Sequence, residues 1–181
     1  MELLDIYDLS GNRTGRTVER DQLFGHVSED SDRLLLVHVC VFNSLGEMLI
    51  QRRQLTKDRY PGCWDVSAGG FALSGESSED AIRRELFEEL GIAADEVDIQ
   101  LALREPFHLV FDDFYLCRAE LDLSALHLQE QEVMAARWAG RDEVLTMLST
   151  GEFVDYEPRL IRDMFDAADR AAESAGICDR A

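Results

Sequence analysis

Three glutamates, Glu85, Glu88 and Glu89, stand at spacings i, i+3 and i+4 inside a stretch with helical periodicity. On an α-helix these positions share one face, with their side chains a few ångströms apart. Ala81, Ile82, Leu86 and Leu90 recur at the same period and supply a stripe for a core. Ser77 or Ser78 can cap the helix at its start. Gly91 follows the last turn, where a left-handed residue ends many helices. Like charges so close destabilise a helix unless something neutralises them. Arg84 reaches Glu88 at i+4, but one cation does not balance three anions. Carboxylate oxygens are preferred ligands of hard divalent cations such as Mg²⁺ or Mn²⁺. A solvated acidic helix face has the same pattern, so spacing alone leaves both readings open. Glu76, in the loop ahead, can fold back toward the same face.

Around this helix the chain reads as strands, then helix, strands and helices. Residues 3–8 predict a short strand, and Asp8 to Asn12 a turn. Residues 17–33 are polar and carry no clear assignment. Arg33 to Phe42 is apolar and β-branched, the pattern of a buried strand, and Glu47 to Arg53 predicts its returning hairpin partner. Residues 54–63 predict a loop, Trp64 to Ser67 a short strand, and Ala68 to Ser78, with Gly69, Gly70 and Gly75, a loop. Strands are expected at about 97–110 and 114–121, joined by a turn at Asp112 and Asp113, and again at Ala135 to Ala139. Helices are expected at Asp142 to Leu148 and from Pro158 to Ala175, the latter with proline in its first turn. This order predicts a mixed β-sheet with helices on its faces.

A length of 181 residues predicts a single domain over 1–181, with a short N-terminal β extension over about 1–30 and a C-terminal helix over about 158–175. Asp plus Glu number 37 against 18 for Lys plus Arg, a formal net charge of −19. Such a chain repels phosphate backbones, which argues against nucleic-acid or anionic-membrane binding across a broad surface. Cys40, Cys63, Cys117 and Cys178 are scattered, with no CxxC pair, so free thiols are expected rather than zinc ligands or disulfides. The N-terminus lacks a basic, then apolar, leader, and no stretch approaches the length of a membrane span. These features predict a soluble, cytoplasmic protein.

The stretch GFALSGESSEDAIRRELFEELGI, residues 70–92, resembles the Nudix box. That pattern is a glycine, five residues, Glu, seven residues, then Arg-Glu-apolar-any-Glu-Glu-any-Gly-apolar. Gly70, Glu76, Arg84, Glu85, Leu86, Glu88, Glu89, Gly91 and Ile92 fill every fixed position. The surroundings are similar to the family as well: a strand pair ahead, the QRR and PGCWDVSAGG runs, and a trailing RWAGRDEV. The resemblance implies an α/β/α sandwich, α/β or α+β in class, with a mixed β-sheet between helices. It implies hydrolysis of a diphosphate linkage in a nucleoside diphosphate joined to another group X, with Mg²⁺ or Mn²⁺. Glu85, Glu88 and Glu89 would then be metal ligands, joined by the backbone carbonyl near Gly70. Arg84 would orient the box carboxylates, and Glu76 would be structural. The general base would be a box glutamate or a later one, Glu130 or Glu132. Arg52, Arg53, Lys57 and Arg59 concentrate basic charge just ahead of the box; the first three are candidates for substrate phosphates, against ordinary surface charge as the alternative. Trp64 and Phe71 can stack on a base or simply pack, and His26, His38, His108 and His127 are scattered. A small-molecule diphosphate is the expected partner, with a homodimer as an open possibility.

The chain also resembles the Nudix branch related to isopentenyl-diphosphate isomerase. Those isomerases use a cysteine shortly after the tryptophan of a PG-x-W segment and a metal-binding histidine two residues later. Aligned on Trp64, these positions hold Gly69 and Phe71, which can do neither task, and Cys63 is misplaced. The departures favour hydrolysis. A non-catalytic nucleotide-binding domain is the third reading, and an intact box disfavours it.

Overall fold

The computed structural model describes residues 2–23, 26–93 and 97–174, so the expectations for Cys178 and for the end of the last helix at Ala175 lie outside the described residues. The strands are β1 (Leu3–Tyr7), β2 (Arg13–Glu19), β3 (Leu34–Phe42), β4 (Met48–Arg53), β5 (Trp64–Asp65), β6 (Ala68–Phe71), β7 (Ile99–Phe107), β8 (Val110–Arg118) and β9 (Val133–Ala139). The helices are α1 (Ser78–Leu90), α2 (Arg141–Thr150) and α3 (Pro158–Ser174).

Side chains of a strand alternate between faces, and β3 is apolar on both, which suits a strand inside a sheet covered on both sides. Val37, Val39 and Val41 pack with Ala81, Ile82, Leu86 and Leu90 of α1. Cys40 and Phe42 pack with Phe114 and Leu116 of β8 and with Val144, Ile161, Met164 and Phe165 of α2 and α3. The result is a helix, sheet, helices sandwich. The seven-stranded sheet has the order β5-β4-β3-β8-β7, with β6 also paired to β3 and β9 to β4. β3 and β8 run parallel in unbroken register from Leu34 opposite Val110 to Phe42 opposite Arg118. The other pairs are antiparallel, so the sheet is mixed. β1 and β2 form a separate two-stranded ribbon, which places a strand in the previously unassigned polar segment. Leu4, Ile6 and Val18 seat the ribbon on Leu34.

Three expectations are corrected. β4 returns antiparallel to β3 across the expected turn, but the two are in register only at Phe42 and Met48, and β4 takes β9 and β5 as its longer neighbours, so the hairpin is shorter than expected. Residues 68–71 are not loop but strand β6, with Gly69 opposite His38 and Gly70 opposite Val37. Asp112 and Asp113 are not a turn: they lie buried within β8, and the turn falls at His108 and Leu109. Their charges are held by partners on neighbouring strands, His38 of β3 for Asp112 and Arg104 of β7 for Asp113. Among the described residues no helix is long and apolar enough to cross a membrane.

Candidate active site

The register of α1 is set at its ends. Ser77 accepts a hydrogen bond from the Asp80 amide, and Asp80 accepts from the Ser77 amide, a reciprocal cap that satisfies two free donors of the first turn. Gly91, at φ 72°, closes the other end. Held this way, the helix turns its three glutamates to different surroundings. Glu89 is 6% exposed, and its Oε2 accepts from Gln51 Nε2 at 2.7 Å and from the Gly69 amide at 3.3 Å. Glu85 is largely buried beside Gly70. Glu88 keeps 48% of its side chain exposed.

Arg84 ties this face to the preceding loop. Its Nη1 donates to Glu85 Oε1 at 2.8 Å and to Glu88 Oε2 at 3.1 Å. Its Nε and Nη2 donate to the two oxygens of Glu76 at 2.8 and 3.0 Å, and Nη2 also reaches the Phe71 carbonyl at 3.0 Å. Glu76 in turn accepts from the Leu73 amide at 2.8 Å, which folds loop 72–77 onto the helix. Desolvation opposes the Arg84 charge, yet the bonds to Glu76 and Glu85 hold its guanidinium protonated above its ordinary range.

Gly69 and Gly70 are required for room rather than for backbone freedom. A Cβ on Gly70 would stand 2.2 Å from Glu85 Oε1, and one on Gly69 would stand 2.4 Å from the His38 ring and 2.7 Å from the Val37 carbonyl. Gly70 therefore lets α1 bring Glu85 down onto β6, and Gly69 makes room for His38 of β3. The electrostatics follow. Burial, then the Glu85 charge, pushes Glu89 well above the usual carboxylate range, against the pull of Gln51. Burial likewise raises Glu85, with Arg84 opposing and Glu88 adding to the rise.

Among the described residues no group of three His, Cys, Asp or Glu side chains is gathered in metal-holding geometry. The physical reason is that Arg84 binds Glu85 and Glu88, while Glu89 turns to Gln51 and the Gly69 amide.

The other candidates are dispersed. Lys57 is ion-paired to Glu132. Arg53 is paired to Asp65 at 2.9 Å and reaches the Arg59 carbonyl, and Arg52 donates to the Gly62 carbonyl at 3.0 Å. Glu130 is exposed, with its carbonyl held by Gln54. Trp64 packs on the α2 and α3 side of the sheet with the Arg137 guanidinium 4.7 Å from its ring centre, and Phe71 packs against the β1–β2 ribbon. His38 is buried and bonds Asp112 through Nδ1 at 2.7 Å. Two neighbours of the site were missed in the sequence. Gln51 is the first polar residue after the apolar Met48, Leu49 and Ile50 of β4, a signal that was present. Arg20 follows β2, lies with its guanidinium 5.8 Å from the Phe71 ring centre, and its charge acts on Glu85. Nothing local in the polar segment around Arg20 indicates that proximity.

Residues 32–159 match the NUDIX domain. The chain is 38% identical over 156 residues to an uncharacterized Nudix hydrolase of Listeria monocytogenes, covering 86% of this chain and 90% of that one. It is 32% identical over 155 residues to an isopentenyl-diphosphate Delta-isomerase of Citrobacter koseri, covering 82% and 84% respectively. Among solved structures it is similar to a Deinococcus radiodurans protein, with a TM-score of 0.77 at 25% identity over 89% of this chain and 98% of that one.

Proposed function

We infer the reaction from one premise, that this chain belongs to the Nudix family: it is a hydrolase acting on pyrophosphate bonds, and its substrate is a nucleoside diphosphate linked to a second group, or a related small diphosphate, cleaved with Mg²⁺ or Mn²⁺. The observation that carries this reading is the placement of Glu85 and Glu89 against the Gly69–Gly70 strand, with Glu88 open beside them. The donors fit a hard divalent cation. They are carboxylate oxygens whose charges raise one another's proton affinity, which a cation would relieve. Glu85, Glu88, Glu89 and the Gly70 carbonyl would hold it. When bound, such an ion neutralises charge on phosphoryl oxygens and acidifies a coordinated water.

The chain's own residues supply the rest. Arg84 orients Glu85 and Glu88 and keeps Glu76 folded over the helix. A box glutamate beside the cation would take a proton from the attacking water. Lys57 already holds Glu132, which favours a box glutamate over Glu132 as that base. Arg52, Arg53 and Lys57 remain the proposed contacts for substrate phosphate, each needing to exchange its present partner. The isomerase reading is disfavoured because Gly69 carries no thiol and Phe71 no ligand, while the Cys63 sulfur lies against the Gly151 carbonyl. Free thiols at Cys40, Cys63 and Cys117 support a cytoplasmic setting. Exposed Leu101 and Phe107 on the edge strand β7 support a homodimer.

The test is a panel of nucleoside diphosphate derivatives and isoprenoid diphosphates assayed with Mg²⁺, Mn²⁺ or EDTA. Cleavage of at least one diphosphate, abolished by EDTA and restored by the metal, is expected. Turnover indifferent to chelation, or isomerisation without cleavage, would overturn the reading.

A further inference from the structure

Gln51 carries a second, separate clue. It sits on β4 between Asp65 of β5 and Ala136 of β9, so its backbone is fixed on both sides by the sheet. Its side chain is 3% exposed and spends its Nε2 on Glu89 Oε2 at 2.7 Å. Among the described residues no donor reaches Gln51 Oε1, which is the one buried side-chain polar atom there left without a partner. A buried acceptor without a donor is unfavourable. Nε2 serves the fold by pairing Glu89, but Oε1 is held there at a cost.

We propose that Gln51 is a positioning residue that works with both ends of its amide: Nε2 fixes the Glu89 carboxylate, and Oε1 accepts a hydrogen bond from a water held by the cation bound at Glu89. This deepens the reading above and rests on it. The geometry gives each end a distinct task. Donation to Oε2 leaves the other Glu89 oxygen for the cation and holds the carboxylate in one orientation. The acceptor at Oε1 suits a water molecule, which donates, and does not suit a phosphoryl oxygen, which only accepts. Gln51 thus selects a hydrated cation beside Glu89 rather than direct contact with the substrate's phosphates. The glutamine is not itself a reacting group.

Two variants test this, with Mn²⁺ binding followed by electron paramagnetic resonance in the absence of substrate. Gln51→Met is expected to weaken Mn²⁺ binding and to lower kcat, each by about 10- to 100-fold, with KM for the diphosphate little changed. Its Tm without metal should fall, since buried Glu89 loses its Nε2 donor, and Mn²⁺ should raise its Tm by less than the wild-type shift; a packing role alone would leave the Mn²⁺ shift equal to that of the wild type. Gln51→Glu places a carboxylate against Glu89, so its Tm should fall without metal and rise with Mn²⁺ by more than the wild-type shift. Wild-type Mn²⁺ binding and kcat in Gln51→Met, or equal Mn²⁺ shifts in Gln51→Glu and wild type, would overturn the role of Gln51 alone. A wild-type protein that binds no Mn²⁺ and cleaves no diphosphate would overturn the function and this inference with it.

Discussion

At the scale of single residues the site trades stability for chemistry. Glu89 is a buried carboxylate whose proton affinity is raised by burial and by Glu85. Without a cation its raised proton affinity costs folding free energy at pH above the ordinary carboxylate range, a loss that shrinks as pH falls below the raised value and is gone below the ordinary one. Glu89→Gln keeps the volume and the acceptor for Gln51 while removing the charge. It is expected to lower turnover by about 100-fold or more and, in EDTA, to raise Tm by a few degrees. Calorimetry beside steady-state kinetics checks both, and wild-type rates in this variant would remove Glu89 from the site. His38 works with the opposite sign. Burial opposes its charge, but the Asp112 carboxylate outweighs burial and raises its pKa above the ordinary 6.5. The pair's contribution is complete below the unfolded value and is lost as pH rises through the raised folded value. Denaturant titrations at about pH 6 and about pH 9 should show the wild type losing stability across that window. Asp112→Asn should flatten the dependence; an unchanged slope would mean that another group titrates.

At the scale of elements, α1 was legible because its signals are local. The cap, the apolar period and the terminal glycine all lie within one run of chain, and each stands where the spacing placed it. β6 was not legible. Two adjacent glycines argue for a loop, and only the approach of Glu85 and His38 from elsewhere explains glycine inside a strand. Gly70→Ala is therefore expected to displace Glu85 and to reduce activity by about tenfold or more, with the sheet retained. Gly75 is the control. It has open space around it but φ 92°, so Gly75→Ala should cost about 1 kcal/mol of stability and leave kcat unchanged. Equal kinetic effects of the two substitutions would refute the steric account. The aspartates of β8 failed as a turn signal for a related reason: His38 of β3 and Arg104 of β7, brought alongside by strand pairing, neutralise them inside the sheet.

At the scale of the whole molecule, the two faces of the sheet divide the work. α1 and its carboxylates lie on one side, while α2 and α3 cover the other with a core in which Phe165 meets Phe42 edge to face at 5.1 Å. Phe165→Ala should cost about 3–5 kcal/mol of stability while the folded fraction keeps its kcat, measured by denaturation and by active-site-normalised kinetics. A fall in kcat at full folding would show that the far face is coupled to the site. What the sequence determined alone is what repeats at short range: the alternation that buries β3, the helical period of α1, and three glutamates on one turn after another. Tertiary structure decided which of those glutamates is buried, which is paired and which is open. Gln51 lies 38 residues from Glu89, and Arg84 gathers its partners from the loop, β6 and its own helix. Such contacts depend on which strands pair and how closely glycine lets them approach, and no short-range period encodes either.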